Sequence, residues 1–234
     1  MKIKIHYILL FSLGVFLFSS CAKDNYDAPG TLFKGALTYK GDTVRVERNQ
    51  VYFQLFEPGW QLDMKSNPIN VNVSQDGVFS ALLFNATYKL VLPAGQGPYL
   101  PQDTTTLALT GNKTMNIEVT PYYLVRNASF TSSGRTVTAT CSLEKIVTDA
   151  NAKNVERVTL YVGRTCYSDP GNYLSSVNGS FANLSSISIS ADVPIFANLQ
   201  NPLPDQKYVY ARIGVKIQGV EDMIFSPVKM VTIQ

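Results

Sequence analysis

The stretch YVYARIGVKI, residues 208–217, determines the class of fold, because its apolar residues recur at every second position. In a β-strand successive side chains point to opposite faces, whereas helical residues three or four apart share a face. The apolar side of the stretch consists of Val209, Ala211, Ile213, Val215 and Ile217. The stretch therefore predicts a strand that buries one face and carries Tyr208, Tyr210 and Arg212 on the other.

The same period of two recurs along the chain, between breaks rich in Gly, Pro, Asn and Asp. The strand-like segments are 31–39, 51–57, 69–74, 78–83, 86–92, 113–119, 124–131, 136–146, 155–165, 186–194, 207–218 and 225–233. Gln75-Asp76-Gly77 is typical of a hairpin turn, since glycine tolerates a positive φ. With no amphipathic helix of convincing length, the pattern predicts an all-β protein of two antiparallel β-sandwiches.

The strand pattern resets at Pro121. Proline cannot donate a hydrogen bond to a strand ladder, and it holds the preceding Thr120 in an extended conformation. We expect one domain over residues 31–120 and a second over 121–234, each near the usual size of a domain.

The first 20 residues have the composition of a lipoprotein signal peptide. Lys2 and Lys4 precede an apolar run, which ends at Ser19-Ser20 just before Cys21. Small residues before a cysteine fit a cleavage site that leaves the cysteine to be lipidated. The run is also shorter than the roughly 20 residues of a transmembrane helix. We predict a signal peptide over 1–20 and a lipid anchor at Cys21 followed by a tether to residue 30; the alternative is an ordinary signal peptide with an incidental cysteine.

Charge and histidine content argue against several classes of function. Of the 20 basic residues two lie in the leader, so the mature chain carries 18 against 17 acidic residues, without the basic patch of nucleic-acid-binding proteins. The single histidine, His6, is also in the leader, which excludes histidine-based triads and zinc sites. No phosphate-binding or calcium-binding motif is present. We therefore expect no enzyme, no metal and no cofactor; a glycosidase with paired carboxylates is the remaining enzymatic alternative.

Aromatic residues in predicted loops are the candidates for ligand binding. They are Trp60, Tyr99, Tyr167 and Tyr173. A flat ring suits stacking on a sugar, because its face is apolar and its polar group can bond a hydroxyl. The alternative for each residue is simple packing onto the end of a sandwich, and Trp60, the one tryptophan, is the preferred candidate for binding.

Cys141 and Cys166 form a candidate disulfide, since both lie in or beside successive predicted strands. An envelope compartment permits such bonds. The alternative is two free thiols that act as small apolar residues in a core.

The order of short motifs resembles a Bacteroidetes-type family of two-domain lipoproteins of unknown function. The motifs are Cys21 with the following Lys23-Asp24, Val51 to Glu57 with Trp60, Asp76-Gly77-Val78-Phe79, Ala86 to Val91, Gly97-Pro98-Tyr99, and Ile117 to Tyr122. The resemblance implies an N-terminal sandwich similar to the carboxypeptidase-regulatory or transthyretin-like fold and an immunoglobulin-like C-terminal sandwich. It also implies outer-membrane glycan importers of the starch-utilisation type as neighbours, and it supplies no catalytic or binding residues.

Two functions follow as hypotheses. The first is a non-catalytic lipoprotein of the outer membrane, exposed at the cell surface, that binds glycan or assists importer proteins. The second is a structural spacer, or a stalk or adhesion subunit, that presents partners at the surface. Glycan binding predicts exposed aromatic residues grouped together, and a spacer predicts scattered ones with a rigid junction between the domains.

Overall fold

The computed structural model describes residues 27–58, 67–196 and 206–234, and within these ranges the regular structure is β-strand without α-helix. The strands of the N-terminal half are β1 (Thr31–Tyr39), β2 (Asp42–Thr43), β3 (Tyr52–Phe56), β4 (Ile69–Asn72), β5 (Val78–Leu83), β6 (Thr87–Val91), β7 (Thr105–Ala108), β8 (Lys113–Thr114) and β9 (Ile117–Glu118). Those of the C-terminal half are β10 (Tyr123–Ser133), β11 (Thr136–Lys145), β12 (Val155–Gly163), β13 (Ser175–Gly179), β14 (Ile187–Asp192), β15 (Tyr208–Ile217), β16 (Ile224–Phe225) and β17 (Lys229–Thr232).

The N-terminal half is a sandwich of two sheets. In the first, β1 lies between the antiparallel neighbours β5 and β2 and also pairs in parallel with β8 and β9. The second has the strand order β4-β3-β6-β7. Phe33 and Phe79 from the first sheet pack against Phe53 from the second, with ring centroids 4.9 to 6.3 Å apart. These three rings form the centre of the first core.

The C-terminal half is a second sandwich, which confirms the predicted all-β class. One sheet has the order β10-β11-β14. The other has the order β13-β12-β15-β16, with β17 also paired to β15. The alternating apolar residues of β15 are all fully buried, as their period of two predicts. Tyr122 and Tyr123, beside Pro121, are buried as well and belong to a continuous apolar core that runs through both halves.

The turn at Gln75-Asp76-Gly77 is tight, as predicted, but it does not form a hairpin, because β4 and β5 belong to different sheets of the first sandwich. The turn instead connects the two sheets and reaches the second sandwich. Gly77 has a φ of 78°, and its N–H donates to Ser74 O at 2.9 Å. A Cβ atom at this position would lie 2.3 Å from Val44 O, so only glycine fits. The turn carries Gln75, which is buried although it is polar.

Arg212 on β15 meets this turn across the domain junction. Its side chain is 1% exposed. The Nη2 group donates to Gln75 O at 2.7 Å and Val46 O at 3.1 Å, and Nε donates to Ser226 O at 3.1 Å. Burial lowers the pKa of the guanidinium to about 10, so it stays charged at neutral pH. A cation of the second sandwich is thus held by carbonyl groups of the first.

Further polar contacts cross the same junction. Gly97 N–H donates to the Asp222 carboxylate at 2.6 Å, and Arg126 pairs with Asp42 at 2.5 Å. Val46 forms an isolated β-bridge with Ile224. The two sandwiches are therefore joined by backbone pairing as well as by side chains.

The sequence pattern did not predict two short or polar strands. The segments predicted at 31–39 and 78–83 coincide with β1 and β5, but β7 and β13 fall where loops were expected. The sequence of β13, SSVNG, has a single large apolar residue, and its burial is only partial because it pairs on one side with β12. An edge strand that packs little of its surface carries little apolar periodicity.

Candidate functional site

The loop after β12, residues 164–174, carries two of the tyrosines that the sequence singled out. Its tip is a tight turn in which Asp169 and Asn172 exchange backbone hydrogen bonds of 3.3 and 3.0 Å. The Asp169 carboxylate also accepts from Gly171 N–H at 3.0 Å, and the Asn172 amide donates to Tyr167 O at 2.7 Å. Aspartate, proline and glycine favour such a turn locally. The loop backbone is thus fixed by its own polar groups.

Tyr167 and Tyr173 flank this turn and are 45% and 51% exposed. Their rings are oriented by neighbours rather than loose. The ring centroid of Tyr173 lies 6.0 Å from that of the buried Tyr161 on β12. The guanidinium carbon of Arg48 lies 4.8 Å from the ring centroid of Tyr167. Both rings are therefore exposed on one loop, Tyr173 against β12 and Tyr167 against Arg48 of the N-terminal half.

The loop also contacts the N-terminal sandwich. Gln75 Nε2 donates to Cys166 O at 3.1 Å, and Arg48 forms an ion pair with Asp169 at 3.4 Å. Arg48 and Gln75 both come from turns of the first half. The position of the tyrosines accordingly depends on how the two sandwiches are joined.

Glu47 adds an acidic group to this region that the sequence reading did not identify. Burial raises the pKa of its carboxyl, and the nearby carboxylates of Asp169 and Asp222 raise it further. Glu47 therefore lies near Asp169 of the loop, and its carboxyl oxygens are potential acceptors for sugar hydroxyls. The only signal in the sequence was the charged run from Arg45 to Arg48, which is indistinguishable from an ordinary solvated turn.

Tyr99 does not belong to this exposed surface, and its prediction as a ligand contact needs correction. It is 5% exposed, because its backbone pairs with Pro121 and its ring covers Gly97. The hydroxyl is buried without a hydrogen-bond partner among the described residues, and burial raises its pKa. The ring forms part of the wall of a cleft of about 320 Å³ that also contains Tyr122 and Lys153. Its proximity to Pro121 was the signal that it packs at the domain junction.

Two other predicted positions lie outside the described residues. They are Trp60, the preferred aromatic candidate, and Cys21, the expected site of lipid attachment. Both remain predictions from the sequence.

The candidate disulfide is absent from the structure, which contains Cys141 and Cys166 as free thiols. Cys141 is buried on β11, where it pairs with Ile187 of the neighbouring strand, and burial raises its pKa to about 11. Cys166 lies in the loop that follows β12, and β12 belongs to the opposite sheet of the sandwich. Cys141 thus matches the alternative of a free thiol that acts as a small apolar core residue, whereas Cys166 is a free thiol that is only half-buried in a loop.

Neither a metal site nor a membrane-spanning helix emerges from the described ranges. No group of three His, Cys, Asp or Glu residues among them is arranged to hold a metal ion. Over the same residues, no helix has the length and apolar character needed to cross a bilayer. What the site offers instead is two exposed rings on a fixed loop, with the Arg48 guanidinium and the Glu47 carboxyl contributed by a turn of the N-terminal sandwich.

Comparisons with solved structures identify relatives of the whole fold. A DUF3823 family protein from Parabacteroides merdae is 32% identical, with a TM-score of 0.75 over 88% of this chain and 100% of its own. One from Bacteroides ovatus is 31% identical, with a TM-score of 0.75 over 87% of this chain and 100% of its own. A protein from Bacteroides uniformis, described as "a putative carbohydrate binding protein", is 18% identical, with a TM-score of 0.71 over 88% of this chain and 100% of its own, and shares the fold.

The family comparison divides the chain at the domain junction. Residues 31–120 match "Protein of unknown function (DUF3823) N-terminal domain", and residues 123–230 match "Domain of unknown function (DUF3823_C)". No curated protein shows significant similarity to the chain. The resemblance to a two-domain Bacteroidetes-type family of unknown function is thereby confirmed, and the chain belongs to the DUF3823 family.

Proposed function

We propose that this protein is a lipid-anchored, non-catalytic accessory protein of the outer membrane that binds carbohydrate through Tyr167 and Tyr173. The observation that carries the proposal is the exposure of these two rings on one fixed loop. A neutral sugar is bound through its CH faces and a few hydroxyls, so its site needs flat apolar rings with a small number of polar groups. Loops on a rigid scaffold are the usual place for such residues.

The surroundings of the two rings suit a neutral glycan. Glu47 supplies an acceptor and Arg48 supplies a donor, whereas the buried Asp169 carboxylate is already bonded to Gly171 N–H and Arg48. The mature chain as a whole is close to neutral as well. The description of the Bacteroides uniformis relative as carbohydrate-binding points in the same direction.

The place of action follows from the sequence. The leader that ends at Cys21 supports lipid anchoring, and the family resemblance supports a position at the cell surface beside glycan importer proteins. Trp60, which lies outside the described residues, is the further aromatic residue that the sequence assigns to glycan contact.

Glycan binding is tested on a glycan array with the mature chain, residues 22–234. We expect a restricted set of glycans to bind, and the Tyr167→Ala, Tyr173→Ala double variant to bind them at least about tenfold more weakly, which corresponds to about 1.4 kcal/mol. Tyr208→Ala is the matched control, because Tyr208 is 40% exposed and lies on β15, outside the loop of residues 164–174. Equal loss in the control and the double variant would count against a local site.

A structural spacer is the second candidate, and the junction around Arg212 favours it. A buried cation bonded to carbonyls of the other sandwich fixes the angle between the two halves. A spacer needs that fixed angle and needs no ligand. If the array shows no bound glycan while residual dipolar couplings show one fixed interdomain orientation, the spacer function replaces carbohydrate binding.

A further inference from the structure

The strand β1 gives the N-terminal sandwich two distinct ends. At its start, Thr31 Oγ1 donates to Asn85 Oδ1 at 2.6 Å, in the turn between β5 and β6. At its finish, Tyr39 pairs with Asp42, which forms the ion pair with Arg126 of the C-terminal sandwich. The chain therefore enters the molecule at one end, and the second sandwich is attached at the other.

The entry end carries exposed apolar side chains. Leu82 is 58% exposed and pairs across the strands with Leu32, the second residue of β1. Phe84, in the following turn, is 45% exposed. Its carbonyl accepts a hydrogen bond from the Tyr88 hydroxyl at 3.0 Å, so the turn is held in place. Single exposed apolar residues are common, but these lie together where the chain begins its first strand.

The predicted lipid at Cys21 would keep this end close to a membrane. Asp27 lies six positions after Cys21, and an extended chain covers at most about 3.6 Å per position, so Asp27 lies within about 22 Å of the lipidated cysteine. A weak apolar contact would not bind the protein to a bilayer from solution. Once the lipid anchor holds the protein at the membrane, the same contact forms within a tethered complex and is strong enough to orient the protein.

We propose that Leu32, Leu82 and Phe84 form a membrane-facing surface that rests on the lipid bilayer. The surface contains no cluster of basic residues; Lys34 is the next outward residue of β1. The contact is therefore apolar rather than a match to anionic lipid. It rests on the lipid anchor of the proposed function, and it places the start of β1 closer to the bilayer than the junction with the C-terminal sandwich.

The test uses the lipidated full-length protein in vesicles of phosphatidylethanolamine and phosphatidylglycerol with brominated acyl chains. Trp60→Phe removes the native indole, and Phe84→Trp then places a fluorophore on the proposed surface. Val78→Trp in the same background is the matched control, because Val78 is 48% exposed on the same face of β5 but opposite Ala36, toward the second sandwich. Acylation of Cys21 is verified by mass spectrometry in both samples.

We expect quenching of the F84W indole to be several-fold stronger than that of the V78W indole. Equal quenching of both, or none at position 84 in acylated protein, overturns the proposal, as does a mass that shows no acyl chain on Cys21. Concentration-dependent dimerisation of residues 22–234 that L82S and F84S abolish would assign the surface to a second copy and overturn it too. Carbohydrate binding is measured on residues 22–234 without lipid, so its failure is separate from each of these results.

Discussion

Replacing Arg212 by methionine is the sharpest test of how the two sandwiches are joined. Methionine keeps an apolar chain of similar length against the Phe225 ring, over which the guanidinium stands at 4.0 Å. It removes the donors to Gln75 O, Val46 O and Ser226 O. Those carbonyls are buried at the junction, so the variant leaves them without their present partner.

The expected loss follows from these contacts. Three hydrogen bonds from a charged donor, each worth about 1.5–3 kcal/mol, give a gross loss of roughly 5–9 kcal/mol. The variant regains the cost of burying the cation, which is several kcal/mol. The net destabilisation should be roughly 2–4 kcal/mol. For a chain of this size each kcal/mol lowers Tm by about 2–4 °C, so we expect a fall of roughly 5–15 °C.

Urea denaturation and thermal melts of residues 22–234 measure the effect. Arg157→Met is the matched control, because Arg157 lies on the adjacent β12 with its side chain 41% exposed and forms a surface ion pair with its neighbour Glu156. Loss of such a surface pair should cost less than about 1 kcal/mol. If R212M and R157M both stay within about 0.5 kcal/mol of the wild type, the hydrogen bonds of Arg212 do not hold the junction.

Three further predictions concern the cysteines and a buried acid. Cys21→Ala should block metabolic lipid labelling and release the protein from membranes; retention of the variant would contradict the anchor. In residues 22–234, Cys166 should react with a thiol reagent near pH 8 well before Cys141, whose pKa is about 11, and denaturation without reductant should release two thiols rather than one disulfide. Burial raises the pKa of the Asp222 carboxyl above its ordinary 3.8, although the hydrogen bond from the Gly97 amide lowers it. The folded state therefore binds a proton at Asp222 more tightly than the unfolded state does. This contribution to stability is present at low pH and is lost as the pH rises through the folded pKa. Asp222→Asn should therefore gain stability relative to the wild type between pH 4 and pH 7 in urea denaturation, and an unchanged difference across that range would refute the shift.

The fold was largely predictable because burial imposes a period of two on each long strand. β1, β5 and β15 show that period clearly, and Gly77 marks its turn by the positive φ it requires. β7 and β13 were not predictable, since short edge strands bury too few side chains to leave a pattern. The order of the strands within the sheets could not be predicted from the sequence either. The spacing of Cys141 and Cys166 along the chain therefore did not predict whether their sulfur atoms lie close together.

The candidate site was predictable only where the loop chemistry is local. The sequence Asp169-Pro170-Gly171 predicts a turn, and residues that flank a surface turn, such as Tyr167 and Tyr173, are expected to be exposed. Arg212 looked like one more outward residue of an alternating strand. Its burial depends on Gln75, which is 137 residues away in the chain, and no local pattern encodes a contact of that kind.

NMR of residues 22–234 labelled at the tyrosine rings with ¹³C measures glycan contact most directly. The glycan is the strongest binder from the array, and Tyr→Phe variants assign the resonances of Tyr167, Tyr173 and Tyr208. We expect saturating glycan to shift the Tyr167 and Tyr173 ring signals and to leave the Tyr208 signal in place. Saturated binding with both loop tyrosines unperturbed would contradict this expectation.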